Sequence, residues 1–204
     1  MDAATRRFPL NYRRLLFRLS LGRIRPEDVE GELSAQIEKL LEGGLKPAHL
    51  DSHQHVHIHP ALLEIVIRLA KRYGIAAVRV PFDPWTVLGR YAGLRAFFGG
   101  VLNALSLRAW KRLERAGLEP YRSVGVVRSG RMSGGIIADY MRTLRNEGFD
   151  RELIAHPNAD NARFNTDYGH WEFDGEGELS ALLDPSFPGL LASGGFTRET
   201  CHAC

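Results

Sequence analysis

Residues 49–60 read HLDSHQHVHIHP and hold five of the chain's eight histidines together with one aspartate. Neutral imidazole is the commonest side-chain ligand of divalent metals and a proton carrier near neutral pH. A carboxylate beside it either joins the ligand set or fixes the ring's tautomer. On an extended backbone His49, Asp51, His53, His55, His57 and His59 fall at alternate positions and share one face. An apolar interior does not accept such a row, because polar groups without partners are costly there; the row therefore implies water, hydrogen-bond partners or a cation. A metal site accounts for the clustering better than a polar loop does. Since catalytic zinc takes about three protein ligands and keeps one position for water, the five histidines are not all ligands. Asp51 and His53, two residues apart, are best placed to act together. Farther along, His156 in RELIAHP sits at the end of a candidate strand, and His170 in DYGHWEFDGEGEL is a candidate substrate contact.

The elements that must position these groups alternate. Pro26 and Glu27 open a helix with apolar positions Val29, Leu33, Ile37, Leu40 and Leu41 at the 3.6-residue period, stopped by Gly43-Gly44. An extended piece, AHLDSHQ, follows Pro47. Pro60 then suits the first turn of a second helix, ALLEIVIRLAKRY, which ends at Gly74 before the β-rich run AAVRVPF. After residue 120, SVGVV predicts a strand, GIIADYMRTLRNEG a helix, RELIAHP a strand, and GELSALLD and PSFPGLLAS two short helices. Helices and strands of these lengths in alternation predict an α/β fold built on a mostly parallel sheet or barrel. Chemistry in such folds gathers at the carboxyl ends of strands, where the histidine cluster and His156 fall.

Composition narrows the function classes. With 44% hydrophobic and 25% charged residues and no apolar run near membrane-spanning length, the sequence is that of a globular protein; no linker or internal repeat divides it, so one domain over 1–204 is expected. The two cysteines, Cys201 and Cys204, lie at the very end, which provides no disulfide framework and suits a cytoplasmic location. The net charge of +3 is unevenly spread. Residues 1–25 carry seven arginines against Asp2, and residues 85–116 carry Arg90, Arg95, Arg108, Lys111, Arg112 and Arg115 against Glu114, among Leu102, Leu105, Trp110 and Leu113. Neither region has the aromatic platforms of a nucleic-acid binder, which excludes that class. The second reads as a basic amphipathic insert, either lying on an anionic membrane surface at the inner membrane or packed on the domain with a solvated face.

The segment PAHLDSHQHVHIHP, followed by an amphipathic helix and YGIAAVRVP, resembles the signature of the YdjC-like carbohydrate deacetylases, a Thr-His-(Leu/Ile)-Asp-Ser-His-x-His-Val-His run in which Ala48 here takes the place of threonine. The likeness runs from about Phe8 to about Leu191 and includes RELIAHP. Within that family, AGLEPYRSVGVVRSGRM resembles the branch associated with hopanoid biosynthesis. The resemblance implies a deformed (β/α) barrel of the polysaccharide-deacetylase kind that removes the N-acetyl group of an amino-sugar, free or on a glycolipid, with a divalent ion, magnesium or zinc, held by one aspartate and two histidines. It places His53 as one metal ligand and His156 as general acid or oxyanion stabiliser; from the cluster's own chemistry Asp51 joins the catalytic groups in support of His53, His55 and His57 line the mouth around the substrate, and His170, which has no matched role in the family, stays a candidate substrate contact.

The same resemblance implies departures. The family's Asn-Ala-Asp-Asp-Phe-Gly and Gly-(Leu/Met)-His segments, which supply the other ligands, have no counterpart in the 204 residues, against the ~250 of a full barrel. The expectation is an incomplete barrel lacking its N-terminal β/α units, whose open side a second copy could fill as a homo-oligomer. Two other readings stay open: a non-catalytic metal-binding fragment and a lipid-surface binding module.

Overall fold

Leu15, Leu16 and Leu19 give the first described segment something to bury, and Tyr12–Ser20 forms helix α1 with Leu19 inside. The computed structural model describes residues 12–90, 92–145, 151–168 and 173–196. Pro26 stands in the first turn of α2 (Pro26–Glu42), with Glu27 and Asp28 near the positive end of the helix dipole, and Gly43 caps it. Strand β1 is only His49–Leu50. Helix α3 (Pro60–Tyr73) also begins on proline and ends on Gly74 in the left-handed conformation, as the sequence predicts. Strand β2 (Ala77–Pro81) follows, then the short α4 (Trp85–Leu88) and the long α5 (Gly93–Arg115), which occupies the region of the expected basic insert. The chain continues through β3 (Glu119–Val124), α6 (Gly134–Leu144), β4 (Arg151–Leu153), α7 (Asn161–Tyr168), α8 (Gly175–Leu183) and α9 (Phe187–Ser193).

The strands are ordered β1-β2-β3-β4 in one sheet. β1 pairs with β2 in parallel, His49 against Ala77, and β3 pairs with β4 in parallel, Arg122 against Arg151. Parallel neighbours separated by helices are what an incomplete (β/α) barrel requires, and the expected fold class is met. The strand predicted at SVGVV starts earlier and stops at Val124, because Gly125 (φ 103°) turns the chain; a Cβ there would lie 3.1 Å from the Ile154 carbonyl oxygen.

The sequence shows no linker, yet the described residues divide into two compact units, one of 12–80 with 104–121 and the other of 81–103 with 122–196. In the first, α3 buries Leu62, Leu63, Ile65, Val66, Ile67, Leu69 and Ala70 against Val29 and Ile37 of α2 and Val78 and Val80 of β2. Arg68 and Arg72 of α3 clasp Glu30 of α2 at 2.6 and 2.8 Å over this seam. In the second, Val87, Val124, Met132, Ile137, Tyr140, Met141 and Leu144 form the core.

A buried carboxylate ties that second core together. Asp83, 2% exposed, accepts from the Gly125 and Val127 backbone N–H groups, each at 2.7 Å, and from the Tyr140 hydroxyl at 2.9 Å. Its own backbone exchanges two hydrogen bonds with the Asn103 amide. Each donor stranded without a partner costs about 1–3 kcal/mol. Asp83→Ala is therefore expected to lower the melting temperature by about 10 °C, with Asp83→Asn losing less because it keeps one acceptor. A melting temperature for Asp83→Ala within error of the parent protein would contradict this account.

Candidate functional site

The row of alternate histidines does not form the common face that an extended strand gives. β1 ends at Leu50, and residues 53–58 wind as 3₁₀ turns broken at Gln54 (φ 56°) and His55 (φ 54°), both left-handed. A non-glycine residue in that region costs about 1–2 kcal/mol, so two in succession persist only when their surroundings hold them.

What holds them is a closed hydrogen-bond circuit. The Ser52 carbonyl accepts from the His55 N–H at 3.1 Å, and Ser52 Oγ accepts from the His57 N–H at 3.0 Å. The His57 ring spans from Ser52 Oγ, 2.7 Å from Nδ1, to the Arg79 carbonyl of β2, 2.6 Å from Nε2. A carbonyl only accepts, so Nε2 carries the proton, Nδ1 is an acceptor, and the Ser52 hydroxyl donates to it. His57, expected beside substrate, is instead 2% exposed with both ring nitrogens engaged. Burial pushes its pKa down to about 4, against the opposing pull of the Arg79 carbonyl and the Asp51 carboxylate.

Asp51 sits on the open side of this circuit. Its Oδ2 pairs with the Arg79 guanidinium, while Oδ1 lies 3.6 Å from His57 Nδ1 and 3.8 Å from His55 Nδ1. Burial alone would raise its pKa; the His55 and His57 rings, the Ser52 N–H and Arg79 outweigh it and hold the carboxyl at about 2. His55 Nδ1 is buried without a hydrogen-bond partner. His53 is exposed at the start of the bend, and His49 lies in β1. His59 has a structural task, accepting from the Ala61 N–H at the start of α3 and meeting Ser20 Oγ of α1 at 3.2 Å. A cavity of about 370 Å³ is lined by His49, Asp51, Ser52 and His57 together with Glu32 and Gln36 of α2 and apolar side chains of α1, α2 and α3.

These groups do not make a complete metal cage. Arg79 engages Asp51, hydrogen bonds engage both nitrogens of His57, and His55 Nδ1 is buried without a hydrogen-bond partner. Among the described residues no three His, Cys, Asp or Glu side chains gather closely enough to hold an ion. The donor set fits part of a metal site, not a whole one.

His156 belongs to the second unit, just past β4. Its N–H donates to one oxygen of Glu178, whose other oxygen accepts from the Met132 N–H at 2.9 Å. Glu178 is 1% exposed, so α8 grips the chain on either side of the catalytic candidate through a buried carboxylate. Ser129 Oγ lies 3.4 Å from His156 Nδ1. The ring packs 4.8 Å from Phe173, which stacks on Phe164, and Phe173 comes so close to Gly130 (φ 77°) that a Cβ there would collide with it. His170 lies outside the described residues. Sequence reasoning missed Ser52, Arg79, Ser129 and Glu178. Only Ser52 carried a signal, being inside the motif; a single Glu on a short helix ordinarily faces water.

Parallel strands alternating with helices, with a histidine–aspartate cluster at the end of the first, define a β/α protein. Residues 5–193 match the family described as YdjC-like protein, and the chain belongs to that family. Among curated proteins it is similar to the carbohydrate deacetylase of Brevibacillus brevis, 51% identical over 61 residues that make up 29% of this chain and 23% of the relative. The carbohydrate deacetylase of Geobacillus stearothermophilus is 47% identical over 57 residues, 28% and 21% of the two chains, and that of Danio rerio 39% over 67, 32% and 21%. The chain thus spans less than a quarter of the length of these relatives in the matched segments. No solved structure matches it.

The neutral, buried His57 sets a pH dependence of stability. Above the ordinary histidine pKa of 6.5 folded and unfolded chains are alike; between 6.5 and about 4 the unfolded chain takes up a proton that the folded chain refuses. Stability is therefore expected to fall over that window, by about 3 kcal/mol once the pH is below 4. Urea titrations across this range should show the loss in the parent protein and a flatter profile in His57→Gln. Parallel profiles would remove His57 as the cause.

Proposed function

We propose that this chain carries part of the active site of an amino-sugar N-deacetylase, working in the cytoplasm at the inner-membrane surface on a glycolipid of the hopanoid type or a chitooligosaccharide-like substrate. The observation that carries the reading is the Asp51–Arg79 pair just after β1, with His55 Nδ1 3.8 Å from Asp51, in a chain of the YdjC-like family. The named activity of the relatives supports it.

Hydrolysis adds water to the acetamide carbonyl and ends with acetate and a free amine, which leaves only after it gains a proton. His156 is our candidate for that proton, with Ser129 and Glu178 fixing its ring and backbone. Asp51, kept ionised by the His55 and His57 rings, the Ser52 N–H and Arg79, is suited to orient a neighbouring imidazole. In this reading His55 and His170 are assigned to the substrate. His53 is the one metal ligand this cluster would contribute, to magnesium or zinc; its co-ligands come from beyond the donors that the described residues assemble.

Acetate release from N-acetylglucosamine oligomers and from an N-acetylglucosaminyl lipid, with either metal in excess, tests the reading. Slow release is expected, falling by about a hundredfold in His156→Ala, while His53→Ala should need more metal to reach the same rate. No release from either substrate at saturating metal would refute the proposal for this chain.

A further inference from the structure

The first three turns of α5 present an apolar face to water. Leu94, Phe97, Phe98 and Val101 stand at positions i, i+3, i+4 and i+7 of the helix, so their side chains fall in one stripe. They are 73%, 63%, 58% and 43% exposed. The Phe97 and Phe98 rings meet edge to face at 5.6 Å.

The other side of the same turns fixes this orientation. Gly99 is buried so tightly against Leu88 and Val127 that a Cβ has no room, and Asn103 is locked to the Asp83 backbone by two hydrogen bonds. The helix cannot roll to hide the stripe without breaking both contacts. Soluble proteins rarely expose a contiguous patch of large apolar side chains unless something covers it.

Charge indicates what covers it. From Pro84 to Leu113 the sequence holds no aspartate or glutamate but Arg90, Arg95, Arg108, Lys111 and Arg112. Arg90 and Arg112 are satisfied by Asp139 and Glu64. Arg95 flanks the stripe, with its guanidinium 3.4 Å from the Val127 carbonyl oxygen. Two copies meeting stripe to stripe would bring these cations together with no acid of the segment between them. An apolar stripe flanked by Arg95, in a segment that carries no acid, fits the boundary of an anionic bilayer, where rings enter the acyl region and guanidinium groups meet headgroup phosphates.

We propose that Leu94, Phe97, Phe98 and Val101, flanked by Arg95, form a lipid-docking face that seats the second unit on an anionic membrane surface. Among the described residues no helix is long and apolar enough to cross a membrane, so the contact is peripheral. The inference does not rest on the deacetylase reading, since it concerns a different face and needs no turnover.

Sedimentation with vesicles tests it directly. The protein should pellet with vesicles of phosphatidylglycerol and phosphatidylcholine about tenfold more than with phosphatidylcholine alone, and raised salt should reduce this binding. Phe97→Ser with Phe98→Ser, two exposed positions whose loss leaves the core intact, should lower it about tenfold, and Arg95→Glu should lower it as well. Failure to pellet with anionic vesicles would overturn the proposal. So would equal binding by the serine variant, or a lipid-free dimer of the parent protein that the serine variant dissociates, which would assign the stripe to a second copy.

Discussion

The proton on His57 Nε2 is the interaction on which the candidate site depends. Donated to the Arg79 carbonyl, it leaves Nδ1 as an acceptor for Ser52, and Ser52 in turn accepts from the His57 N–H. This circuit pins the bend after β1 to β2 and sustains the left-handed Gln54 and His55. Arg79 serves twice: its carbonyl accepts the hydrogen bond from the imidazole, and its guanidinium pairs with Asp51. A charged imidazole would have to break the Ser52 bond and sit in a site that burial makes hostile to charge. The most buried histidine of the cluster is therefore the one whose chemistry is already committed, and reactive capacity passes to its neighbours.

The second unit repeats the device with carboxylates. Asp83 and Glu178 are both buried and both accept backbone N–H groups, Asp83 from the loop after β3 and Glu178 from the segments around Met132 and His156. Loops at the ends of parallel strands carry unpaired backbone donors, and a buried acceptor fixes them without a further strand. Around His156 this gives a ring held by Ser129, backed by Phe173 and anchored through Glu178.

Much of this was legible in the sequence, and the exceptions have physical reasons. Helices opening on Pro26 and Pro60 and the stops at Gly43 and Gly74 stand where the residues place them, because proline and glycine act locally. The α/β class followed from periodicity alone. The shared face of the alternate histidines failed because period two holds only while a strand lasts, and β1 lasts for His49 and Leu50. Nothing local in HQH announces left-handed residues; they are imposed by Ser52, His57 and Arg79, the last of which lies 22 residues from His57. The division of roles within the cluster was likewise invisible, since five identical side chains differ only in what surrounds them. Asp83 and Glu178 read as ordinary surface acids because burial is a tertiary property.

In the first unit the bend after β1 is braced by His57, and in the second His156 is positioned by Ser129 and Glu178. The central claim is that His57 braces this bend and binds neither metal nor substrate. Long-range ¹H–¹⁵N NMR of the imidazoles during a zinc titration measures it directly. The account predicts a neutral His57 protonated at Nε2 whose ring signals stay unchanged near neutral pH while those of His53 or His55 shift. A His57 ring protonated at Nδ1, titrating near 6.5, or moving first on addition of zinc, would contradict it.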